Sequence, residues 1–191
     1  MLYRRINMRK VIASMFVTLD GVMEAPNQWA FQFGSEEQQK YKFDELFASD
    51  ALLLGRVTYQ GFAAAWPNMP GTGDYGVRMN SLPKYVVSTT LQAVEWNNSR
   101  LIKDNIADEV SQLKQQPGQN ILLFGSGDLV HTLMQHDLID EYQLMVFPVV
   151  VGSGKRLFRD GSEKKVLRLV ATRTFNSGVV VLSYQPESNY R

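Results

Sequence analysis

Two segments of the chain run from an apolar stretch into a glycine and then into residues able to hold phosphate. The first is Leu52-Leu53-Leu54-Gly55-Arg56-Val57-Thr58-Tyr59. A buried strand that ends at Gly55 and passes straight into a helix leaves backbone N–H groups unpaired at the helix start. Those groups, with the helix dipole, favour an anion. Arg56 adds a planar, permanently charged donor fork, and Thr58 adds a hydroxyl. A plain strand-to-helix turn with Arg56 in solvent is the competing reading. The second segment is Ile121-Leu122-Leu123-Phe124-Gly125-Ser126-Gly127-Asp128. Its two glycines let a backbone approach a pyrophosphate closely. It lacks the third glycine of the dinucleotide fingerprint, because Val130 stands there, and no Gly-Lys-Ser/Thr follows to make a P-loop. A tight turn capped by Ser126 or Asp128 fits the same string.

Two further strings belong beside these. Thr18-Leu19-Asp20-Gly21 puts a carboxylate where open sheets bind ligands, at the carboxyl end of a strand; an Asp-Gly turn is the alternative. Val149 to Phe158 carries Gly152, Gly154, Lys155 and Arg156, which suit either an anion or a flexible turn. Other chemistry is excluded by composition. There is no cysteine, so disulfides, thiolate catalysis and Cys-ligated zinc are absent. His131 and His136 lack the partners of a metal site, and no metal is expected. With 20 basic and 19 acidic side chains the net charge is +1, too balanced for a nucleic-acid partner.

The elements that must position these residues alternate between strand and helix. Strands are expected at Val11–Val17, Ala51–Leu54, Lys84–Ser88, Ile121–Phe124 and Glu141–Val151. Helices are expected from Ser35 to about Ala48, at Val57–Ala64, Lys103–Gln115 and Asp128–Gln135. In the last-but-one, Ile106, Val110 and Leu113 form the apolar stripe. In the first helix Tyr41, Phe43, Leu46 and Phe47 are expected to face inward. Gly21–Phe33 and Met69–Gly76 read as loops. Val166–Phe175 and Val179–Tyr184 alternate and are joined by Asn176-Ser177-Gly178, a hairpin. The whole is expected to be one α/β domain over residues 1–191, with a mixed, mostly parallel sheet, helices on both faces and a C-terminal antiparallel hairpin. Residues 1–7 read as an extension ahead of Met8 and residues 186–191 as a tail. Arg4, Arg5, Arg9 and Lys10 before Val11–Leu19 resemble a short signal peptide, but Ser14, Thr18 and the Asp-Gly turn favour a strand. A cytoplasmic protein is the expectation, with no membrane partner.

The order of these strings is more specific than any one of them. Asp-Gly after the first strand, Gly-Arg-x-Thr-Tyr after the second, Ser88-Thr89-Thr90 after the third and Gly-Ser-Gly after the fourth resemble the dihydrofolate reductase superfamily. More narrowly, they resemble the C-terminal reductase domain of bifunctional riboflavin-biosynthesis deaminase-reductases. Leu138-Ile139-Asp140-Glu141 and Gly152-Ser153-Gly154-Lys155 add to the likeness, which spans roughly residues 8–185. The resemblance implies NADPH as cofactor and hydride transfer to a small heterocycle, carbonyl or imine, as in 5-amino-6-(5-phosphoribosylamino)uracil reductases. Dihydrofolate reduction and a non-catalytic NADPH- or ligand-binding module remain the alternatives. It places Ala13 beside the nicotinamide, and Gly55, Arg56 and Thr58 at the cofactor phosphates with Arg56 on the 2′-phosphate. Ser88 and Thr89 fall near that phosphate. Gly125, Ser126, Gly127 and Asp128 fall under the pyrophosphate. Gly21–Phe33 matches a mobile loop carrying Trp29. Asp20 and then Glu36 are the candidate catalytic carboxylates, and Asp20, Trp29 and Tyr59 the candidate substrate contacts. The chain also departs from the pattern. Dihydrofolate reductases carry an acidic residue on the first helix, where Glu36, Glu37 and Gln39 compete without a clean match. Riboflavin-pathway reductases carry one just before the glycine turn, where this chain has Phe124. A homodimer is expected, from the apolar C-terminal strands and from the family's habit of pairing near this end.

Overall fold

The computed structural model describes residues 8–187; the extension ahead of Met8 and residues 188–191 of the tail lie outside the described residues. Six strands run parallel: β1 (Val11–Thr18), β2 (Ser49–Gly55), β3 (Lys84–Val87), β4 (Ser99–Ile102), β5 (Asn120–Phe124) and β6 (Glu141–Phe147). The antiparallel hairpin β7 (Leu167–Thr174) and β8 (Val180–Pro186) joins the sheet through β8. The order across the sheet is β4-β3-β2-β5-β1-β6-β8-β7.

β1 lies between two parallel neighbours, so both its faces are covered. Period-two alternation sends Val11, Ala13, Met15 and Val17 to one face. There they pack with Val110 and Leu113 of α4 (Ile106–Gln115) and with Leu129, Val130 and Leu133 of α5 (Gly127–Gln135). Ile12 and its cross-strand partner Leu122 go to the other face. They join Leu46 of α1 (Glu36–Phe47), Tyr59 of α2 (Arg56–Ala65) and Met79 of α3 (Gly73–Ser81). Helices therefore cover both faces. Ser35 caps α1 by accepting from Gln38 N–H at 3.3 Å, and Glu36 and Glu37 complement the dipole in its first turn.

The expected elements change in four places. Met69–Gly76 is not all loop, because α3 begins at Gly73; Tyr75 and Met79, with Leu82 at the C-cap, recur at helical spacing behind Gly71 and Gly73. β4 was not expected: it is short and at the sheet edge, and only Ile102 on it is buried. β6 stops at Phe147, ahead of Pro148, which has no N–H to continue a ladder. Phe47 points outward, stacked on Phe43 at 4.1 Å.

Lys84, at the start of β3, is completely buried. Its ammonium donates to the carbonyls of Asn80 (3.0 Å), Leu82 (2.8 Å) and Asn97 (3.0 Å) and lies 4.2 Å from the Trp96 ring centroid. It thus ties the end of α3 to the turn before β4, and desolvation pulls its pKa down to about 8. Lys84→Met keeps the volume and strands three buried acceptors. It is expected to lower stability by roughly 3 kcal/mol, about 6–12 °C in a thermal melt; an unchanged melt would show that the three carbonyls find other donors.

Asp20 clamps the exit of β1. Its carboxylate accepts from the Thr18 hydroxyl (2.6 Å) and from the N–H groups of Val151 (3.3 Å) and Gly152 (2.8 Å). These bonds, Thr18's foremost, hold its pKa at about 2, below the ordinary 3.8. A depressed acid contributes stability above its unfolded pKa and loses it as the pH falls through the folded one. Asp20→Asn is therefore expected to melt below the wild type near neutral pH. The gap should narrow between about pH 4 and about pH 2, and a gap independent of pH would refute the clamp.

Candidate active site

A cleft of about 1110 Å³ opens where β2, β3 and β5 end, at the carboxyl edge of the sheet. That lies just above the range of about 300–1,000 Å³ usual for the site of a single small ligand. One wall is polar and basic, the other aromatic.

The polar wall is built from the turns β2–α2 and β5–α5. The Ser126 hydroxyl accepts from Gly55 N–H at 2.8 Å. It also stands 2.9 Å from the Phe124 carbonyl and 3.0 Å from the Thr58 hydroxyl. Glycine at 55 eases that approach: a Cβ there would lie 3.1 Å from both Cβ and Oγ of Ser126, a tight contact that the serine would have to relieve by a few tenths of an ångström. Gly125 adopts φ +53°, a left-handed conformation that glycine takes without strain. The Ser126 side chain is turned to Gly55 and does not cap α5, and α2 has no side-chain cap because its N-cap residue is Gly55 itself. Both helix starts offer free N–H groups and positive dipole ends to the cleft, which suits anions.

Basic side chains ring these turns. Arg56 lines the cleft from α2 and touches Gln60 Oε1 at 3.1 Å. Lys155, Arg156 and Arg159 come from the segment after β6. Arg156 donates to the Asp20 carbonyl at 3.0 Å. Arg159 pairs with Asp128, and that hydrogen bond holds the Asp128 carboxyl below the usual carboxylate range. Thr89 reaches the cleft exposed. Ser88 lines it too, but its hydroxyl accepts from Thr90 N–H (3.2 Å) and Leu91 N–H (3.0 Å) and so shapes its own turn. Uncapped helix N-termini, glycine-containing turns and surrounding cations together fit a ligand carrying several phosphates.

The aromatic wall runs through Phe124, Phe62, Trp66 and Tyr75, with centroid separations of 6.1, 6.2 and 5.5 Å along that chain. Phe16 of β1 closes it, and Lys42 of α1 lies between. The Lys42 ammonium donates to Ser14 Oγ at 2.7 Å, pairs with Glu45, and stands 4.5 Å from the Phe124 centroid and 5.5 Å from that of Phe16.

Gly55, Arg56, Thr58, Ser88, Thr89, Gly125, Ser126, Gly127 and Asp128 are thus brought together on one cleft. Five other candidates lie outside its lining. Asp20 is committed to Thr18, Val151 and Gly152 and remains ionised at ordinary pH, which removes it as a proton donor. Glu36 is exposed at the start of α1. Tyr59 is buried in the core, its hydroxyl accepting from the N–H groups of Glu95 (2.9 Å) and Trp96 (3.0 Å). Trp29 is buried edge-on against Phe147 at 5.4 Å and donates its indole N–H to the Glu24 carbonyl. Ala13 sits in the ladder between Leu123 and Tyr142; the cleft residues of β1 are Ser14 and Phe16. Lys42, Ser14 and the aromatic wall are the residues the sequence reading passed over. Lys42 lies among Lys40, Asp44 and Glu45 on α1, a string that looks like any solvated helix face. Among the described residues no group of three or more His, Asp or Glu is placed to hold a metal, and no helix is long and apolar enough to cross a membrane.

The comparisons with known proteins agree with this architecture. The chain is 35% identical over 185 residues to the uncharacterized protein YyaP of Bacillus subtilis (strain 168), covering 94% of this chain and 96% of that one. A structure from Shewanella sp. PV-4, assigned by name to riboflavin biosynthesis, superposes with a TM-score of 0.76 at 19% identity over 93% of this chain and 99% of that chain. The dihydrofolate reductase of Enterococcus faecalis superposes with a TM-score of 0.59 at 15% identity, over 94% and 97% of the two chains. The fold is therefore that of dihydrofolate reductase. The family model of the RibD C-terminal domain matches residues 9–181, and the chain belongs to that family of reductase-like domains.

Proposed function

We propose that the protein is an NADPH-dependent reductase acting on a small planar substrate with a carbonyl, imine or heteroaromatic ring. The observation that carries this reading is the meeting, in one cleft, of two uncapped helix starts beside cations and a separate aromatic wall. When bound, NADPH supplies the hydride. The chain's own residues bind and orient: Gly55–Thr58 and Gly125–Gly127 hold phosphates, and Phe16, Phe62, Phe124 and Trp66 exclude water from a flat ring. The Enterococcus faecalis neighbour was solved with NADP(H), which supports the cofactor. The name of the Shewanella sp. PV-4 neighbour, which assigns it to riboflavin biosynthesis, supports a heterocyclic substrate.

Arg56→Ala tests the cofactor. NADPH differs from NADH by one phosphate, and a charge-assisted contact to it is worth about 1.5–3 kcal/mol. Arg56 is exposed, and solvent screening favours the lower part of that range. The substitution is expected to weaken NADPH about tenfold or more in a calorimetric titration while leaving NADH nearly unchanged. Equal loss for both cofactors would make Arg56 a support of the turn, and no heat from wild-type protein at millimolar NADPH would overturn the cofactor assignment.

The second expected partner is another copy of this chain. β7 is the sheet's edge, its residues are almost all exposed, and Leu169 and Val170 are among the exposed apolar side chains. Soluble proteins cover such an edge or charge it. Light scattering at micromolar concentration is expected to give twice the monomer mass. Leu169→Lys should return the monomer, and a monomeric wild type would end the proposal.

A further inference from the structure

The acids in and near the cleft are already engaged. Glu24 accepts from Lys155 N–H at 3.1 Å and Asp128 pairs with Arg159, both on the polar wall. On the aromatic wall the charged lining residue is a cation, Lys42, with its side chain only 15% exposed. A half-freed ammonium in apolar surroundings is costly unless its donors are used. Ser14 Oγ and the Glu45 carboxylate take two of its three N–H groups. The ammonium also lies 4.5 Å from the Phe124 ring centroid and 5.5 Å from that of Phe16, and Lys42 lines the cleft beside both rings. Glu45 is itself sequestered, with its side chain 5% exposed and Oε1 buried without a hydrogen-bond partner, and it is the carboxylate that pairs with Lys42. Ser14 comes from the central strand and Glu45 from the same helix one turn on, so the ammonium is held from two elements.

We infer that Lys42 is the substrate-anchoring residue: its ammonium takes an anionic or strongly polarised oxygen borne by a flat ring lying on the aromatic wall. Glu45 and Ser14 are positioning residues that aim the ammonium. The site accordingly selects ring carbonyls, enolates and carboxylates and rejects ring-bound cations such as amidines. This rests on the reading of the cleft as a reductase active site, and it assigns the charge of the substrate's recognised group.

Two probes of one shape and opposite charge test it: 2-naphthoate and 2-naphthamidine, titrated calorimetrically into the wild type, Lys42→Met and Lys42→Arg, with NADPH titrated separately into each. The wild type is expected to bind naphthoate and to bind the amidine at least tenfold more weakly. Lys42→Met should lose naphthoate affinity by about tenfold or more, Lys42→Arg should restore the preference for the anion, and all three should bind NADPH alike, which also shows that each variant is folded. Equal affinity for the two probes, no naphthoate binding, or a Lys42→Met variant that keeps the preference overturns the proposal. Failure of NADPH to bind while the Lys42-dependent preference persists overturns the cofactor reading and leaves the anchor standing.

Discussion

The Ser126 hydroxyl is the contact on which the cleft depends. It joins the β2–α2 turn to the β5–α5 turn, with Gly55 N–H as donor to it and the Phe124 carbonyl and Thr58 hydroxyl beside it. Its burial means that water does not compete for those bonds. Turning inward, it leaves α5 without a side-chain cap, and the missing Cβ at Gly55 lets the two turns approach. A serine in the N-cap position would ordinarily satisfy the first turn of its own helix. Here it is diverted to the neighbouring turn, and the helix start is left for an external anion.

The second constraint is the burial of β1 on both faces. One face is filled by Val11, Ala13, Met15 and Val17 against α4 and α5. On the other face Ile12 fills the core, and the next two residues of that face, Ser14 and Phe16, open onto the cleft. A single strand thus changes from core to site along one face. The polar Ser14 is tolerated in the middle of the sheet because Lys42 donates to it. The ammonium, in turn, is tolerated among aromatic rings because Ser14 and Glu45 take two of its donors. Polar groups in this part of the protein are mutually dependent, so removing one exposes another to an unfavourable surrounding.

Much of the fold was legible in the sequence because its signals are local. Ser35 announces α1, Pro117-Gly118 ends the α4 region, Gly178 allows the hairpin turn at φ +84°, and the apolar runs of β1, β2 and β5 mark strands buried on two faces. The polar wall was legible for the same reason: Gly55–Thr58 and Gly125–Asp128 each carry their turn, their helix start and their donors in one string. The aromatic wall was not. Its residues come from β1, α1, α2, the turn after α2, α3 and β5, and no string holds more than two or three of them. Tyr59 and Trp29 misled because an aromatic ring beside a motif is equally suited to core and cleft. A buried hydroxyl with two N–H donors settles Tyr59 as core, and that information lies 36 residues away, in Glu95 and Trp96. Asp20 misled because the position is right for a ligand contact while its partners, Val151 and Gly152, arrive from a distant turn.

The electrostatics of the cleft follow from placement and not from composition. With 20 basic and 19 acidic side chains the chain as a whole has almost no net charge. Around the cleft, however, Arg56, Lys155, Arg156, Arg159 and Lys42 face Glu24 and Asp128, and both of those acids are occupied. Two helix dipoles add their positive ends. A field of one sign inside a walled cleft is focused and falls off within about 8–10 Å in physiological salt. Its reach is therefore local, and it favours anions at the cleft. The same field disfavours a cationic ring at Lys42.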